Sequence, residues 1–327
     1  MNSFGKNFRV QIFGQSHGDY VGVVIDGCAP GIRILPDDFR EDIDRRKPGA
    51  KGTTPRKEDD IPEIISGVFN DKSTGAPITI LFKNSNTRSS DYEKLRAVPR
   101  PGHADFVAHK KFNGFEDYRG GGHFSGRLTV ALVAAGVVAK KVIESFSFEK
   151  KIIINSTILE IGGEKDLEKG LQKAIDAKDS VGGIVECKVQ NLPIGLGEPF
   201  FDSTESLISH AVFSIPAVKG IEFGAGFAAA KMFGLEHNDA LINEDGTTAT
   251  NNAGGIVGGI ANGNELVFRI VVKPTSSTPK AQQTLNIETG IVESFSVKGR
   301  HDLCIALRVP VVLEAVTAMV IADLLAE

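Results

Sequence analysis

NNAGGIVGGIANGNELVFRIVVKPTSS, residues 251–277, carries the strongest structural signals in the chain. Its first half contains too many glycines for an ordinary helix or strand. Its second half, residues 265–272, is rich in valine, isoleucine and phenylalanine, which predicts a strand. Pro274 cannot extend a central strand, so we expect a turn there. The ammonium group, hydroxyls and backbone N–H groups of that turn suit a phosphate or a flat polar ring, although a polar hairpin without a ligand fits equally well.

Length and composition are those of a globular protein. With 327 residues, the chain is expected to form a single domain over residues 1–327. A net charge of −4 argues against non-specific binding of nucleic acid. Cys28, Cys187 and Cys304 are far apart, which fits a reducing cytoplasm better than a disulfide framework or a zinc site. The N-terminus has no apolar signal core and no apolar run is long enough for a membrane span, so we expect a cytoplasmic protein without membrane or nucleic-acid partners.

Two segments, residues 128–142 and 308–325, are almost uniformly apolar. Helices that are apolar on every side are buried, and these two are too short to cross a membrane. Further helices are predicted at residues 36–46, 167–175 and 203–213, and strands at residues 8–13, 21–26, 63–69, 78–82, 151–161, 183–189, 221–228 and 265–272. The sequence therefore predicts an α+β fold in which a layer of buried helices is covered by sheets on both sides.

Two glycine-containing clusters combine a hydroxyl with a histidine or an arginine. Ser16 and His17 lie between glycines that leave room for a substrate, although a lone loop histidine is more often structural. The segment GGGHFSGR, residues 120–127, precedes a buried helix, with Ser125 as a natural N-cap. Helix N-termini bind anions and Arg127 adds a bidentate fork, but glycine loops of this kind are common.

Three other clusters are basic or acidic. Arg45 and Arg46 end a short helix near Lys51, where a solvated basic face is the simpler interpretation. RPGHAD contains His103, and GRHD contains Asp302, whose ordinary partner would be the nearby Arg300. The clusters lack metal-ligand spacing, so we expect no metal site. The chain also lacks a Walker loop, a dinucleotide fingerprint and a nucleophile elbow.

Taken together and in this order, the motifs resemble the chorismate synthase family. Each motif alone is weak, but a chance match to all of them is not credible. They extend from residue 13 to residue 304 and read FGQSHGDYVGVVIDGCAPG, DIDRRKPG, SGVFNDKSTGAPI, RPGHAD, DYRGGG, GLGEPFFD, AVKGIEFGAGF, NNAGGIVGGIANG, KPTSS and GRHDLC.

The resemblance implies a fold and a reaction. The fold would be a layer of helices between two antiparallel sheets, assembled as a homotetramer. The reaction would convert 5-enolpyruvylshikimate 3-phosphate to chorismate by a 1,4-elimination of phosphate and a ring proton. It would require reduced FMN although it is redox-neutral overall, with NADPH as a possible source of reducing equivalents and an external flavin reductase as an expected partner.

The resemblance also implies residue roles. His17, with Ser16 beside it, would protonate the leaving phosphate, His103 would protonate or steady the reduced flavin, and Asp302 would help to transfer the substrate proton to the flavin. The substrate-binding residues would be Arg45, Arg46, Ser125 and Arg127. The FMN contacts would be His123, Phe124, Ser125, Arg127, Pro216, Ala217, Gly258, Lys273, Pro274, Thr275, Ser276, Ser277 and Arg300. Arg46 and Lys51 match positions assigned to NADPH contact.

The chain departs from the family pattern at several places. Many members have Arg-Ser where this chain has His123-Phe124, which removes one positive charge from the expected flavin wall. Lys51 replaces a common arginine and Leu303 a usual proline. The chain is also shorter than most relatives, mainly within residues 147–183 and at the C-terminus, so we expect the differences at peripheral helices and interfaces.

Two rival functions stay open at this stage. A flavoprotein that reduces a phosphorylated substrate would consume NADPH in proportion to product. A non-enzymatic module that binds phosphoanions would bind them tightly and show no flavin spectrum.

Overall fold

The computed structural model of the protein describes residues 2–54, 58–86, 96–297 and 301–326. Within these ranges the strands are β1 (Ser3–Phe4), β2 (Arg9–Gly14), β3 (Tyr20–Asp26), β4 (Glu63–Ser66), β5 (Val68–Phe69), β6 (Lys72–Ser73), β7 (Ile78–Lys83), β8 (Ile153–Ile161), β9 (Gly183–Gln190), β10 (Val218–Phe223), β11 (Ile256–Val257), β12 (Ile260–Ala261), β13 (Leu266–Val272), β14 (Gln282–Leu285) and β15 (Val292–Phe295). The α-helices are α1 (Arg40–Arg46), α2 (Asp105–Lys111), α3 (Thr129–Ser145), α4 (Leu167–Ala177), α5 (Thr204–Val212), α6 (Gly234–His237) and α7 (Pro310–Leu325).

The N-terminal half builds a five-stranded antiparallel sheet in the order β1-β2-β3-β7-β4. Strands β2 and β3 form a hairpin in which Arg9 pairs with Asp26, and the loop that joins them carries Ser16 and His17. The single strand predicted at residues 63–69 is divided, because Gly67 adopts a positive φ of 79° and ends the extended backbone.

The second sheet has four antiparallel strands in the order β10-β13-β9-β8. The strand predicted within residues 265–272 is β13, and it lies between β10 and β9. The strand predicted at residues 221–228 was placed too far along the chain. Strand β10 ends at Phe223 because Gly224 and Gly226 have positive φ angles of 53° and 55°, and a 3-10 helix follows.

Helices α3 and α7 form a layer between the two sheets, so the predicted fold class is confirmed. Almost every residue of both helices is buried. A Cβ atom at Gly136 of α3 would lie 2.4 Å from the Cα atom of Ala315 in α7, so glycine lets the two backbones come into contact. In the part of the chain that the structure describes, no helix is long and apolar enough to cross a membrane.

Two buried carboxylates interrupt the apolar surface of α7. Asp323 accepts hydrogen bonds from the backbone N–H groups of residues 6–8, at 2.6 to 3.0 Å, and so holds the start of the chain. Glu314 accepts two bonds of 2.7 Å from Arg45 and one of 2.9 Å from the backbone of Ser156. Both carboxylates are therefore stabilised by hydrogen bonds from distant parts of the chain, and Glu314 also has a cationic partner in Arg45.

Candidate active site

A cavity of about 660 Å³ lies at the N-terminal ends of α3 and α7. This volume is within the range of roughly 300–1,000 Å³ that is usual for sites that bind small molecules. Its walls include parts of the segments 46–60, 100–104, 120–127, 210–217, 273–277 and 301–312. Several of the motifs picked out in the sequence thus meet at one place, although they lie far apart along the chain.

The floor of the cavity is a buried cluster of arginines and an aspartate. The Arg46 side chain is 2% exposed, and its Nε atom donates to the hydroxyl of Thr129 at 2.9 Å. Its Nη1 atom donates to Asp60 at 3.2 Å. The other carboxylate oxygen of Asp60 accepts a hydrogen bond from Arg127. Asp60, whose φ of 52° is in the left-handed region, therefore holds the two guanidinium groups side by side.

A third arginine joins this cluster from the start of α7. Arg308 donates to the carbonyl of Arg46 at 3.0 Å and to the carboxylate of Asp302 at 3.2 Å. The second oxygen of Asp302 accepts the backbone N–H of Thr54 at 2.9 Å. Asp302 is thus oriented from two sides on the wall of the cavity.

Positive charge is in excess in this cluster. Arg46, Arg127 and Arg308 are matched by the carboxylates of Asp60 and Asp302 alone among the ion pairs of the described residues. Burial and then the charge of Arg308 lower the pKa of Arg46 from its usual value, against the opposing effect of Asp60. Because an uncompensated buried cation is costly, such a cluster favours an anionic ligand.

A second ion-pair cluster lines another wall. Arg100 donates two hydrogen bonds to Asp105, at 2.7 and 2.8 Å, and the Nδ1 atom of His103 lies 2.6 Å from the same carboxylate. Burial opposes ionisation of Asp105, but the hydrogen bonds from Arg100 and His103 outweigh it and hold the pKa of that carboxyl below its usual range. His103 is thereby fixed at the cavity by its Nδ1 atom.

The turn predicted after β13 closes a third side. The ammonium group of Lys273 donates to the carbonyl of Gly102 at 2.8 Å and to the hydroxyl of Ser276 at 2.7 Å. Burial and the nearby charge of Lys219 lower the pKa of Lys273. Thr275 lines the cavity, and its hydroxyl oxygen is buried with no hydrogen-bond partner among the described residues. This turn therefore combines a positive charge with an unsatisfied hydroxyl beside the cavity.

The glycine loop at residues 119–124 separates the cavity from Ser16 and His17. Gly120 lines the cavity with a φ of 63°, and a Cβ atom there would lie 2.4 Å from Cδ2 of His17. Glycine is required at this position both for its backbone conformation and for the space that His17 occupies. Ser16 is held by a backbone hydrogen bond to the carbonyl of Gly122 at 3.0 Å. Both side chains are buried directly behind the cavity wall.

The structure brings most of the predicted site residues together. Those that line the cavity are Arg46, His103, His123, Phe124, Ser125, Arg127, Pro216, Ala217, Lys273, Pro274, Thr275, Ser276, Ser277 and Asp302. Arg300 lies outside the described residues, so its predicted pair with Asp302 is not part of the structure. The described ion-pair partner of Asp302 is Arg308.

Five of the described predicted residues do not line this cavity: Ser16 and His17, which lie behind its wall, and Arg45, Lys51 and Gly258. Arg45 turns instead to Glu314, with which it forms two hydrogen bonds. Lys51 is exposed and donates to Gln172 at 3.0 Å. Gly258 lies in the turn between β11 and β12. The charge of Arg45 is therefore already paired within the protein, and its role in substrate binding stays a prediction.

Sequence reasoning missed three residues of the site. Asp60 and Arg100 hold the arginine and histidine side chains in place, and Arg308 adds a cation. Arg308 could have been found from the sequence, because a charged residue directly before a long apolar segment indicates a specific partner or ligand. For Asp60 there was no such indication, because its partners come from distant segments.

A helical layer between two sheets, with a polycationic cavity that also presents a histidine and a carboxylate, defines an enzyme for a small polyanionic substrate. The family model described as chorismate synthase matches residues 8–326, and the chain belongs to the chorismate synthase family. It is 71% identical over 323 residues to chorismate synthase of Chitinophaga pinensis, covering 99% of this chain and 96% of that protein. It is 42% identical over 364 residues to chorismate synthase of Methanocaldococcus jannaschii, with coverage of 99% and 96%.

A solved structure agrees with this assignment. The crystal structure of a chorismate synthase matches with a TM-score of 0.73 at 25% identity, over 98% of this chain and 92% of that one. The reaction is that of the family, a carbon–oxygen lyase step that depends on reduced FMN. It eliminates phosphate from 5-enolpyruvylshikimate 3-phosphate and yields chorismate, the last common precursor of the aromatic amino acids.

Proposed function

We propose that the cavity is the active site and that Arg46, Arg127 and Arg308 bind the phosphate and carboxylates of 5-enolpyruvylshikimate 3-phosphate. The observation that carries this proposal is the excess of buried guanidinium groups over carboxylates at the cavity floor. Planar guanidinium groups suit both carboxylate and phosphate, since each can accept two parallel hydrogen bonds. Ser125, on the same wall, adds a hydroxyl for the substrate.

His17 is assigned the role of the acid that protonates the leaving phosphate. Its imidazole lies directly behind Gly120, within reach of the cavity wall, and Ser16 lies beside it. Because the dianion that develops on the leaving group is a poor leaving species until it is protonated or held by cations, a positioned acid is worth about 10²–10⁴ in rate.

Asp302 is assigned the removal or relay of the ring proton. It is the carboxylate of the cluster that is oriented by one backbone N–H and one arginine. A carboxylate held in this way is already oriented, so it needs little reorganisation when it accepts a proton.

The residues present fit a reduced flavin. Apolar side chains such as Phe213, Ile215 and Val312 form part of the cavity, and the turn at residues 273–277 adds polar groups, including the unpartnered hydroxyl of Thr275. When bound, reduced FMN supplies electron density as the C–O bond breaks and recovers it afterwards. His103, held by Asp105, would steady the reduced ring. The other proposed contacts are His123, Phe124, Ser125, Arg127, Pro216, Ala217 and Lys273 to Ser277, with Gly258 and Arg300 expected only from the resemblance.

The assay that tests this function uses the purified protein with 5-enolpyruvylshikimate 3-phosphate and chemically reduced FMN without oxygen. We expect chorismate and phosphate in equal amounts, with no net oxidation of the flavin. A product formed in proportion to reductant consumed would favour a reductase instead. Binding of substrate without any product would leave a module that only binds anions.

We also propose that reduced flavin comes from an external reductase. The support for this proposal is that Arg46 is buried, whereas Lys51 is exposed and does not line the cavity; contact of both residues with NADPH stays a prediction. Chorismate formation in air with only NADPH, FMN and the pure protein would overturn this proposal. A homotetramer in the cytoplasm remains a prediction, and analytical ultracentrifugation tests the assembly.

A further inference from the structure

Asn84, the residue directly after β7, connects two parts of the proposed site. Its Nδ2 group donates to the carbonyls of Gln15 and Gly18, at 3.0 and 2.7 Å. Its Oδ1 atom accepts a hydrogen bond from Nε of Arg127 at 2.9 Å. A single amide thus uses both its donor and its acceptor groups to join the loop between β2 and β3 to an arginine at the cavity floor.

The two carbonyls that Asn84 holds flank Ser16 and His17. A loop with a glycine at each end of this pair has many accessible backbone conformations unless it is tied down. The described hydrogen bonds that hold this loop include those from the Asn84 amide on both sides and the bond from Ser16 to the carbonyl of Gly122. Within the loop, the N–H of Gly18 also donates to the carbonyl of Gln15 at 3.1 Å. The orientation of the Asn84 side chain therefore contributes to the position of the His17 imidazole, together with the other bonds of the loop.

We propose that Asn84 is a positioning residue that fixes the His17 acid relative to the Arg127 guanidinium. This inference rests on the proposed roles of both residues. If Arg127 holds the phosphate of the substrate, a rigid connection from Arg127 to the His17 loop places the acid at the leaving oxygen. A proton donor must lie within about 2.6–3.2 Å of that oxygen, and a misplacement of about 1 Å can cost about 10²-fold in rate.

The experiment compares two variants at this position. Asn84→Ala removes both connections and is expected to lower kcat by about 10- to 100-fold. Asn84→Asp keeps the size and the acceptor for Arg127 but cannot donate to the two loop carbonyls, so we expect it to lower kcat as well. Unfolding curves establish that each variant is folded at the assay temperature, and Asn84→Asp tests the idea even if Asn84→Ala is unstable. Normal kcat in a folded variant would overturn the proposal.

Asn264→Ala is the matched control. Asn264 also cross-links a loop through its amide, donating to the carbonyl of Gly246 at 3.1 Å and accepting from the backbone N–H of Thr248 at 3.1 Å. It does not line the cavity. We expect it to lose stability to a similar degree while kcat and KM stay within about twofold of the wild-type values.

A double variant separates positioning from a general loss of structure. If Asn84 acts through His17, adding Asn84→Ala to His17→Ala should lower kcat by less than about threefold further, because the acid is already gone. Full additivity of the two losses would contradict the proposal. If His17→Ala alone retained normal turnover, the acid role itself would fail, and that result is distinct from a failure of Asn84.

Discussion

Arg45 and Arg46 are neighbours in the last turn of α1, yet the fold gives them opposite surroundings. Arg45 donates hydrogen bonds to Glu314 and Asp42, and its bonds to Glu314 raise the pKa of Arg45 against the effect of burial. Arg46 is buried beside Arg308, and burial followed by that charge lowers its pKa. The guanidinium of Arg45 is paired with a carboxylate, whereas that of Arg46 belongs to a cluster in which arginines outnumber carboxylates. We propose that the carboxylates which the fold supplies determine which of the two arginines binds the substrate.

Helix geometry explains how adjacent residues come to differ so much. Successive residues of an α-helix point about 100° apart, so Arg45 and Arg46 leave α1 in different directions. Arg45 reaches Glu314 of α7, which Lys140 of α3 approaches at 3.8 Å. Arg46 reaches Asp60 and the start of α3. In the proposed assignment, Arg46 binds an anion, whereas the adjacent Arg45 stabilises the helical layer.

The largest expected effect is on kcat and concerns His17. The arginines are proposed to bind the substrate anion, whereas His17 is proposed to protonate the leaving phosphate. His17→Ala should lower kcat by about 10²–10⁴ and change KM little, since the acid acts as charge develops on the leaving phosphate. Steady-state kinetics over a range of pH measures this. Near-normal turnover of the variant at every pH would mean that the arginine cluster alone activates the leaving group.

Asp302→Asn is expected to have the next largest effect. Asparagine keeps the shape and can still accept the N–H of Thr54, but it cannot serve as a base. We expect FMN and substrate to bind nearly normally and turnover to fall by at least about 10². A substrate deuterated at the departing position should show a larger isotope effect in the variant. Wild-type turnover would reduce Asp302 to a partner of Arg308, a structural role like that of Glu314 for Arg45.

The smallest expected effect is on how stability depends on pH, and it involves the pair of Arg100 and Asp105. The pKa of Asp105 is lowered in the folded protein, so its contribution to stability is present above its unfolded value of about 4 and is lost as the pH falls through the folded value. Asp105→Asn should therefore destabilise the protein at about pH 7, and its deficit relative to wild type should shrink below about pH 4. Denaturant unfolding at several pH values measures the difference. A deficit that grew on acidification would contradict the assignment.

Much of the fold is local in origin and could be predicted from the sequence. The apolar helices α3 and α7, strand β13 and the turn after it follow from composition and spacing within short segments. The predicted end of β10 was too late and the break at Gly67 was not predicted. In both places apolar residues continue the strand pattern past glycines that adopt positive φ. The sequence alone does not show whether a single glycine adopts a positive or a negative φ.

The site was predictable only in part, for a different physical reason. Family motifs indicated Arg46, His103 and Asp302, and the structure places all three on one cavity. They also indicated Arg45, whose pairing with Glu314 joins residues far apart in the chain. Local spacing holds no information about such pairs. For the same reason, the sequence did not indicate that Asp60 connects Arg46 and Arg127.

The parallel measurement of KM for 5-enolpyruvylshikimate 3-phosphate in Arg45→Ala and Arg46→Ala tests the central claim most directly. Losing a buried, hydrogen-bonded charge at a binding site costs at least about 2 kcal/mol, so Arg46→Ala should raise KM by about 30-fold or more. Arg45→Ala should leave KM within about threefold and instead lower stability, because Glu314 loses its main partner. If Arg45→Ala raised KM as much as Arg46→Ala, or Arg46→Ala left it unchanged, the assignment of the arginine cluster as the anion site would be wrong.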